Sequence, residues 1–469
     1  MKLQTKLFSV LLVLVLAFSL VACQGDNKAG GQETKETNDS SKEEKTVVTV
    51  WTGDRHDLEY VNAKIEEYNS TNTDGIEIDY QVMTEDYVNM ITMAASSNQL
   101  PDLIIVSASL AGFDLKTFAD SKIIQPIPVD KLSDEYKKVN DFDKVLFEGV
   151  NVLGDDVYYV PSGMRSGSRI IYNKELFEAA NVEVPTTLSE LVDVAKVLTE
   201  NGNGQSYGTI FPGQSSPFER WLEGVAEMSG VIPYDFVNGE FNFDGYKPIL
   251  EEAKRLFDEN SVFPGSVSMQ IDPTRAQFSE GNVGFYGGAS QEVGVLTDQF
   301  PAKIEWAVTD LPSIDGEVKG ALSINPQRGL ILTSDANVDA SLKVIEFFGS
   351  EDYLKGYLEG GYALPISSYM ESAVDSSKTG RLADYSLKEY ESVYPKFPQV
   401  TPEGDSYRVA FWNAIQPGGP TVDETIAKLN ETYNAALDKE IELGKVSRIV
   451  IKDFDALNPN DGTIEYLSE

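Results

Sequence analysis

The order of apolar segments near the start of the folded body is the feature that most restricts the fold. Residues 46–51 are a β-branched run, 76–82 alternate between apolar and polar, and 103–106 are continuously apolar, as in a buried strand. Between them, the stretch ending near Tyr68 and residues 85–97 have helical spacing. This β-α-β-α-β order predicts an open, mainly parallel sheet covered by helices, with ligands beyond the carboxyl ends of its strands.

The rest of the chain continues the alternation and predicts a second α/β region. No internal repeat of about 20–50 residues is visible, which argues against solenoids and propellers. Thr187 is predicted to be the N-cap of the helix at 188–199. Strands are expected at 157–160, 168–173, 283–286, 304–308 and 329–332, and helices at 188–199, 248–257, 273–278 and 340–348.

Charge and rare residues remove several classes of function. The 469 residues include 75 acidic and 38 basic side chains, for a net charge of −37. Such a surface repels phosphates and argues against nucleic acid as a partner. The chain has one cysteine, Cys23, and one histidine, His56. These counts rule out a disulfide within the chain, a thiolate zinc site and a multi-histidine metal site, so we expect no metal and no cofactor.

The N-terminal segment has the pattern of an export signal. Lys2 and Lys6 precede an uncharged run over 7–22, which is short for a membrane span. The run ends in Leu-Val-Ala before Cys23 and resembles the lipobox of bacterial lipoproteins; the alternative is an ordinary signal peptide with an incidental cysteine. Residues 24–45 lack aromatic and branched aliphatic side chains. We therefore predict a signal peptide over 1–22, lipidation of Cys23 and a flexible tether over 23–46.

A series of short motifs runs along the body and carries a family resemblance. In their order and spacing, these motifs resemble the carbohydrate-type extracellular solute-binding proteins of ABC importers, the family that includes maltose-binding protein. The resemblance covers roughly residues 47–440, and the tail beyond about 445 has no counterpart. The motifs include Val50-Trp51-Thr52-Gly53, Leu100-Pro101-Asp102-Leu103, Tyr158-Tyr159-Val160-Pro161, Ile171-Tyr172-Asn173-Lys174, Phe278-Ser279-Glu280-Gly281 and Leu364-Pro365.

The resemblance implies an α/β fold of two lobes facing across a cleft, each a mainly parallel sheet flanked by helices. By position, the chain is expected to cross between lobes near 162–168, 287–288 and 333–336, where small residues could absorb a hinge rotation. The lobes implied are 47–162 plus 288–334 and 163–287 plus 335–445, followed by a C-terminal extension over 446–469.

Candidate binding residues of the first lobe lie after its strands. A sugar offers hydroxyls and an apolar face, so its site needs planar polar groups and aromatic plates. Asp54 and Arg55 match a turn that grips hydroxyls in the family, whereas His56 is expected to be an exposed loop residue. Ser107 and Ser109 match a second turn, where maltose-binding protein has a tryptophan and an aspartate–arginine pair. This departure argues against a maltodextrin.

The first crossing and the second lobe supply the other candidates. Arg165, Ser166 and Ser168 lie in that crossing; Arg165 and Arg169 could bind a carboxylate or sulfate, or form salt bridges. Phe218 is the preferred stacking plate, and Trp221 could be a plate or core. Trp306, Tyr158 and Tyr159 are expected to be structural, and Arg328 could reach the cleft or the surface. The remaining candidates for ligand binding are Tyr286, Gly288, Gln291, Tyr362 and Tyr407.

An enzyme is the main alternative. The chain lacks GxSxG, HExxH, Walker A and GxGxxG motifs. Glycoside hydrolysis needs only two carboxylates at a defined separation, so an anchored glycosidase or lyase stays open. The resemblance favours a monomeric, non-enzymatic receptor. It would be held outside the bacterial membrane by the lipid on Cys23 and would pass a small solute, such as a carbohydrate, to ABC permease subunits.

Overall fold

The computed structural model describes residues 45–55, 57–83, 86–107, 110 and 112–467. The expected signal peptide, Cys23, His56 and Ser109 lie outside these residues. Within them, no helix is both long enough and apolar enough to cross a membrane. The strands are β1 (Thr46–Thr52), β2 (Ile76–Val82), β3 (Leu103–Val106), β4 (Ile124–Gln125), β5 (Val152–Leu153), β6 (Asp156–Val157), β7 (Gly163–Arg165), β8 (Arg169–Asn173), β9 (Tyr207–Thr209), β10 (Tyr234–Asp235), β11 (Glu240–Phe241), β12 (Val283–Gly288), β13 (Trp306–Thr309), β14 (Leu322–Ser323), β15 (Asn325–Gln327), β16 (Gly329–Thr333), β17 (Glu391–Ser392), β18 (Arg448–Lys452) and β19 (Thr463–Leu467).

The helices lie where the apolar spacing predicts them, and the start of one helix shows the cause. Thr187 caps α6 in a full capping box with Glu190, as its position before the apolar run predicts. The helices are α1 (Leu58–Thr71), α2 (Tyr87–Ser97), α3 (Leu115–Asp120), α4 (Asp134–Val139), α5 (Lys174–Ala180), α6 (Leu188–Gly202), α7 (Leu222–Met228), α8 (Lys247–Asp258), α9 (Ile271–Ser279), α10 (Glu292–Gly294), α11 (Val338–Phe348), α12 (Glu351–Glu359), α13 (Ser368–Ala373), α14 (Tyr407–Ile415) and α15 (Val422–Glu442).

The first lobe is built on a five-stranded sheet of order β2-β1-β3-β16-β4. It consists of β1–β6 with α1–α4, joined by β16 and α11–α13. Val48, Val50 and Leu103 from the sheet share one core with Val344 and Ile345 of α11. All five side chains are almost completely buried. Helices packed on the sheet therefore hold this lobe together.

The second lobe is built on a four-stranded sheet of order β13-β8-β12-β9. It consists of β8–β14 with α5–α10, joined by β17–β19 and α14–α15. Its largest core is rich in aromatic rings from α14 and from the segments that precede α7 and α8, among them Phe211, Trp221, Tyr246, Phe411 and Trp412. Trp306 packs in a smaller core on β13, and Arg381 lies over its ring at 3.4 Å. The structural role expected for Trp306 is confirmed.

Both sheets are mixed, whereas mainly parallel sheets were expected. β1 is parallel to β2 and β3, and β9 is parallel to β12. β16 runs antiparallel to β3 and β4, and β8 runs antiparallel to β12 and β13. In each sheet, the antiparallel strand is the one that follows directly after a crossing from the other lobe. This strand is β8 in the second lobe and β16 in the first.

The two lobes exchange segments at other points than the sequence predicted. Residues 288–334 were expected in the first lobe, but β13, which lies within them, pairs with β8 of the second lobe. Residues 335–445 were expected in the second lobe, yet α11–α13 pack in the first-lobe core. The tether was expected to extend to residue 46, which instead begins β1 and pairs with Ile76. These boundaries were wrong because the local sequence of a short strand or helix does not indicate which of the two sheets it packs with.

In the part of the chain that the structure describes, three segments cross between the lobes. The first, at 162–168, contains β7 and was predicted correctly. β7 pairs with β15, so the second crossing lies at 324–328; the third runs from α13 to β17. The expected crossings at 287–288 and 333–336 are wrong, because Gly287 and Gly288 lie inside β12 and Thr333 leads into α11 of the same lobe.

The C-terminal segment forms an antiparallel hairpin of β18 and β19. Ile451 is 1% exposed in the second-lobe core, and its N–H donates to the Phe236 carbonyl at 2.8 Å. The Tyr234 hydroxyl donates to the Ile449 carbonyl at 3.0 Å. The segment expected as an extension therefore packs as an integral part of the second lobe.

Candidate functional site

The strand register places the carboxyl edges of both sheets at the crossings. Gly329, which begins β16 after the second crossing, is opposite Val106 at the end of β3. Arg169, which begins β8 after the first crossing, is opposite Gly288 at the end of β12. The turns that follow β3 and β12 therefore face the space between the lobes, where open α/β sheets bind ligands. The crossings form the base of this cleft.

On the first-lobe edge, the predicted polar residues are available for contact. Asp54 is half-buried, and its amide N–H donates to the Thr52 hydroxyl at 3.0 Å. Arg55 is exposed and Ser107 is half-buried. The predicted contact Ser109 is outside the described residues. A binding role for these residues stays a prediction.

A buried ion pair beside this edge was missed from the sequence. Arg328 of the second crossing pairs with Asp57, and the side chains are 2% and 0% exposed. The Tyr357 hydroxyl also donates to Asp57 at 2.9 Å, and its ring lies 5.0 Å from the Arg328 guanidinium. Arg328 also has a φ of 55°, a region that non-glycine residues seldom adopt. Its predicted alternatives, cleft or surface, are both wrong, because the ion pair holds it inside the first lobe.

The first crossing and the start of β8 each carry one arginine, and the two differ in their partners among the described residues. Arg169 is 1% exposed and binds Glu391 through two hydrogen bonds of 2.6 and 3.1 Å, as a structural salt bridge. Arg165 is half-buried. Ser168 is half-buried, whereas Ser166 is 4% exposed and its hydroxyl has no hydrogen-bond partner among the described residues. Arg165 and Ser166 thus keep unused hydrogen-bonding capacity at the base of the cleft.

On the second-lobe edge, charged side chains surround the end of β12. Glu292 is fully buried and binds Arg275 through contacts of 2.5 and 3.0 Å, while Tyr286 donates to it at 2.9 Å. Arg220 lies 4.0 Å from the same carboxylate and is 23% exposed. Gln291 has a buried side-chain oxygen without a described partner. Glu292 and Arg220 were not predicted, because only the fold brings them together.

Three predicted aromatic contacts are buried in the second-lobe core. Phe218 and Trp221 are 0% exposed; Phe218 packs on Phe411, and Trp221 stacks on Phe211 at 5.8 Å. Tyr407 is 5% exposed and donates to Glu223 at 2.6 Å. None offers a free ring face to a solute in this structure, so the prediction of stacking plates is wrong. The helices of this lobe need these rings to fill their packing.

The other two predicted tyrosines and Gly288 differ in their surroundings. Tyr286 is 3% exposed, and its hydroxyl is used by Glu292, so it is not available as a plate. Gly288 is buried, and a Cβ there would lie 2.5 Å from Glu292. Tyr362 is half-buried against Tyr60 and Tyr357 of the first lobe. Of this group, only Tyr362 retains partial exposure.

Burial changes the acid–base properties of several groups near the crossings. Burial and the charge of Glu223 together raise the pKa of Glu227 to about 7, against hydrogen bonds from Ser323 that lower it. Burial lowers the pKa of Lys396, and the Asp114 carboxylate of the first lobe opposes this. Burial and the charge of Arg275 lower the pKa of Arg220, and the charge of Glu292 acts in the opposite direction. The cleft can therefore offer charged donors in a partly desolvated setting.

The donor set of this cleft is suited to binding a small polar solute. It consists of guanidinium groups, hydroxyls and amides from both lobes. Among the described residues, no group of three or more histidine, cysteine, aspartate or glutamate side chains could hold a metal ion. Polar groups from two lobes that are joined only by short crossings can close on a small solute.

The sequence matches the family model of the bacterial extracellular solute-binding proteins over residues 52–355. No curated protein matches the chain by sequence.

Solved structures show the same fold. A solute-binding protein of Thermotoga lettingae bound with α-D-tagatose has a TM-score of 0.63 at 18% identity, covering 84% of this chain and 100% of its own. A substrate-binding protein of Listeria monocytogenes in complex with cycloalternan has a TM-score of 0.61 at 18% identity, covering 84% and 99%. The GacH receptor of Streptomyces glaucescens, solved unliganded and with acarbose, has a TM-score of 0.62 at 18% identity, covering 84% and 99%.

Proposed function

Because the chain belongs to the bacterial extracellular solute-binding proteins, we propose that it captures a sugar or oligosaccharide in the cleft and delivers it, chemically unchanged, to the permease of an ABC importer. The family places the protein outside the cytoplasm and gives it a small solute and ABC permeases as partners. The observation that carries the proposal is the register, which brings the carboxyl edges of both sheets to one cleft.

A saccharide is supported by both the cleft and the related structures. Hydroxyls need many polar partners at short range, and Asp54, Ser107, Arg165, Ser166 and Gln291 supply them from both sides of the cleft. The Thermotoga, Listeria and Streptomyces proteins carry tagatose, cycloalternan and acarbose in their structures. A carbohydrate is therefore the first class of solute to test.

The proposed attachment to the membrane rests on the N-terminal sequence. Lipidation of Cys23 would place two or more acyl chains in the bilayer, enough for stable anchoring, and the tether would leave the body mobile. Replacing Cys23 with serine should release the protein to the medium or leave an uncleaved precursor. Membrane retention of a fully processed Cys23→Ser protein would contradict the anchor. We also propose that the receptor works as a monomer.

Binding and catalysis can be separated in one experiment. The protein from residue 23 onward, with Cys23 replaced by serine, is incubated with a panel of mono- and oligosaccharides. Its melting temperature and the chemical identity of each sugar are then measured. We expect stoichiometric stabilisation by at least one sugar, with that sugar recovered intact. Formation of a shortened or unsaturated product would make the protein an enzyme instead.

Hinge closure is tested by the radius of gyration. A solute that contacts both lobes binds the closed arrangement better and so shifts the population toward it. Small-angle scattering with and without the stabilising sugar should show a smaller radius in the complex. An unchanged radius at saturation would argue against closure about the three crossings.

A further inference from the structure

The arginines of this chain divide into two groups by their partners. Seven of the ten donate hydrogen bonds to carboxylates, as expected when 75 acids face 38 bases. Arg55, Arg165 and Arg220 donate no side-chain hydrogen bond to any residue in the described part of the chain. All three belong to the cleft region: Arg55 follows β1, Arg165 lies in the first crossing, and Arg220 lies in the loop after β9.

Arg220 is the most informative of the three because it is partly buried. Its side chain is 23% exposed, and burial together with the charge of Arg275 lowers its pKa. Holding a guanidinium in such a place without a hydrogen-bonded anion costs free energy. The fold gains little stability from Arg220 to offset this cost, because its N–H groups donate no hydrogen bond to a described neighbouring segment.

Glu292 forms an ion pair with Arg220 but accepts no hydrogen bond from it. The distance from the Arg220 Nη1 atom to the Glu292 Oε1 atom is 4.0 Å, beyond hydrogen-bonding range. The Glu292 oxygens already accept from Arg275 at 2.5 and 3.0 Å and from Tyr286 at 2.9 Å. Two arginines thus share one carboxylate, and the donors of Arg220 are left for a group from outside the chain.

The position of Arg220 lets those donors reach a solute. Trp221 packs over Gly287 near the end of β12, so Arg220 precedes it at the carboxyl edge of the second-lobe sheet. A guanidinium presents paired N–H groups whose spacing matches the two oxygens of a carboxylate or sulfate. Neutral sugar hydroxyls form weaker hydrogen bonds to a guanidinium than a charged group does, so they offset less of the free-energy cost of burying Arg220.

We propose that the solute is an acidic saccharide whose carboxylate or sulfate group is bound by Arg220. The proposal rests on the proposed function and names its class of solute. Arg55 and Arg165 provide further positive charge at the first-lobe edge and the base of the cleft. The negative charge of the protein as a whole does not prevent this, because exposed charges beyond ~8 Å are largely screened at physiological salt.

The test uses matched pairs of sugars that differ only in charge. The chain from residue 23 with Cys23→Ser is titrated by calorimetry with uronic-acid oligosaccharides and their methyl esters. It is also titrated with sulfated galactose oligosaccharides and their desulfated forms. We expect an acidic member to bind roughly 10–100-fold more tightly than its neutral match, the range for a hydrogen bond to a charged group. Which acidic member binds distinguishes carboxylate from sulfate.

Arg220→Gln tests the assigned residue, and Arg255→Gln is the matched control. Arg255 is a helix-surface arginine held by Glu252, Asp193 and Glu259. Arg220→Gln should weaken binding of the acidic sugar roughly 10–100-fold and reduce its sensitivity to added salt, with an unchanged melting temperature without ligand. Arg255→Gln should leave affinity unchanged.

The failure of this proposal is distinguishable from failure of the proposed function. If a neutral sugar binds as tightly as its acidic match, the acidic class of solute is wrong. If Arg220→Gln leaves the affinity for the acidic sugar intact, the assignment to Arg220 is wrong. In both cases the sugar receptor stands. If no saccharide of any kind binds, the proposed function falls and this proposal falls with it.

Discussion

The two edges of the cleft each hold an arginine, but the two arginines differ in their burial and in their carboxylate partners. On the first-lobe side, Arg328 is 2% exposed and bound to Asp57, and a tyrosine completes the site. On the second-lobe side, Arg220 is 23% exposed and has only a 4.0 Å contact with a carboxylate that Arg275 already occupies. Both arginines lie next to a crossing or a strand end, in comparable positions of the fold.

The difference shows that the partner, rather than the position, determines the role of a charged residue at such an edge. A buried arginine with its own carboxylate can hold the second crossing to the first lobe. A partly buried arginine without a hydrogen-bonded partner stabilises little and can bind something else. Stability and affinity measurements on the same variants should therefore separate the two sides.

The largest effect is expected from breaking the paired side. Asp57→Asn leaves the Arg328 charge buried without a counter-ion, which costs about 3–5 kcal/mol of unfolding free energy. Urea unfolding of the unliganded protein measures it. Arg220→Gln serves as the contrast and should change the same quantity by less than about 0.5 kcal/mol. Equal losses of unfolding free energy in the two variants would show that Arg220 contributes to stability as much as the Asp57–Arg328 pair does.

The second effect concerns an aromatic residue that the sequence assigned to the wrong group. Phe218 is 0% exposed and packs against Phe411 and Tyr246, so Phe218→Ala should cost about 3–5 kcal/mol of unfolding free energy. Val409, which is 46% exposed, gives a control: Val409→Ala should change stability by about 0.5 kcal/mol at most. A stable Phe218→Ala protein with weakened sugar binding would restore Phe218 as a cleft residue.

The third effect is a pH dependence that belongs to the second lobe. Glu227 is half-buried and accepts from the Ser323 amide at 2.9 Å, just before the second crossing. Its pKa rises from 4.5 to about 7 in the folded protein. The folded state therefore holds this proton more tightly, so the stabilisation is present below pH 4.5 and is lost as pH rises through 7.

Glu227→Gln removes this titration and gives the measurement. The unfolding free energy of the variant minus that of the unmodified protein should increase between pH 4.5 and 7, by up to about 3 kcal/mol, and then level off. Other acids titrate in both proteins and cancel in the difference. A difference that is flat across this range would mean that Glu227 keeps an ordinary pKa.

Local patterns predicted the elements better than they predicted contacts. Ile76–Val82 and Leu103–Val106 fold over their predicted bounds, because alternation and continuous apolarity directly reflect how a strand is buried. The crossings at 287–288 and 333–336 were wrong because a glycine pair inside β12 looks like one in a hinge. No local signal could pair Asp57 with Arg328 or Arg169 with Glu391, since each pair joins distant segments.

The smallest effect concerns the link between the two lobes themselves. The Tyr466 hydroxyl of the C-terminal hairpin donates to the Glu148 carboxylate of the first lobe at 3.1 Å, while the hairpin is fixed to the second lobe. Burial raises the pKa of Glu148. Tyr466 is 42% exposed, so the bond competes with water and should contribute about 0.5–1.5 kcal/mol.

If this bond supports the arrangement that binds solute, Tyr466→Phe should weaken sugar affinity about 2–10-fold, the equivalent of that free energy. The control is Tyr369→Phe, which removes a tyrosine–glutamate bond of 2.6 Å to Glu351 inside the first lobe. That variant should lose a similar amount of stability without losing affinity, because its bond does not join the lobes. Calorimetry and urea unfolding on both variants compare the two bonds directly. Unchanged affinity in Tyr466→Phe would show that the hairpin stabilises the second lobe without influencing how the lobes close.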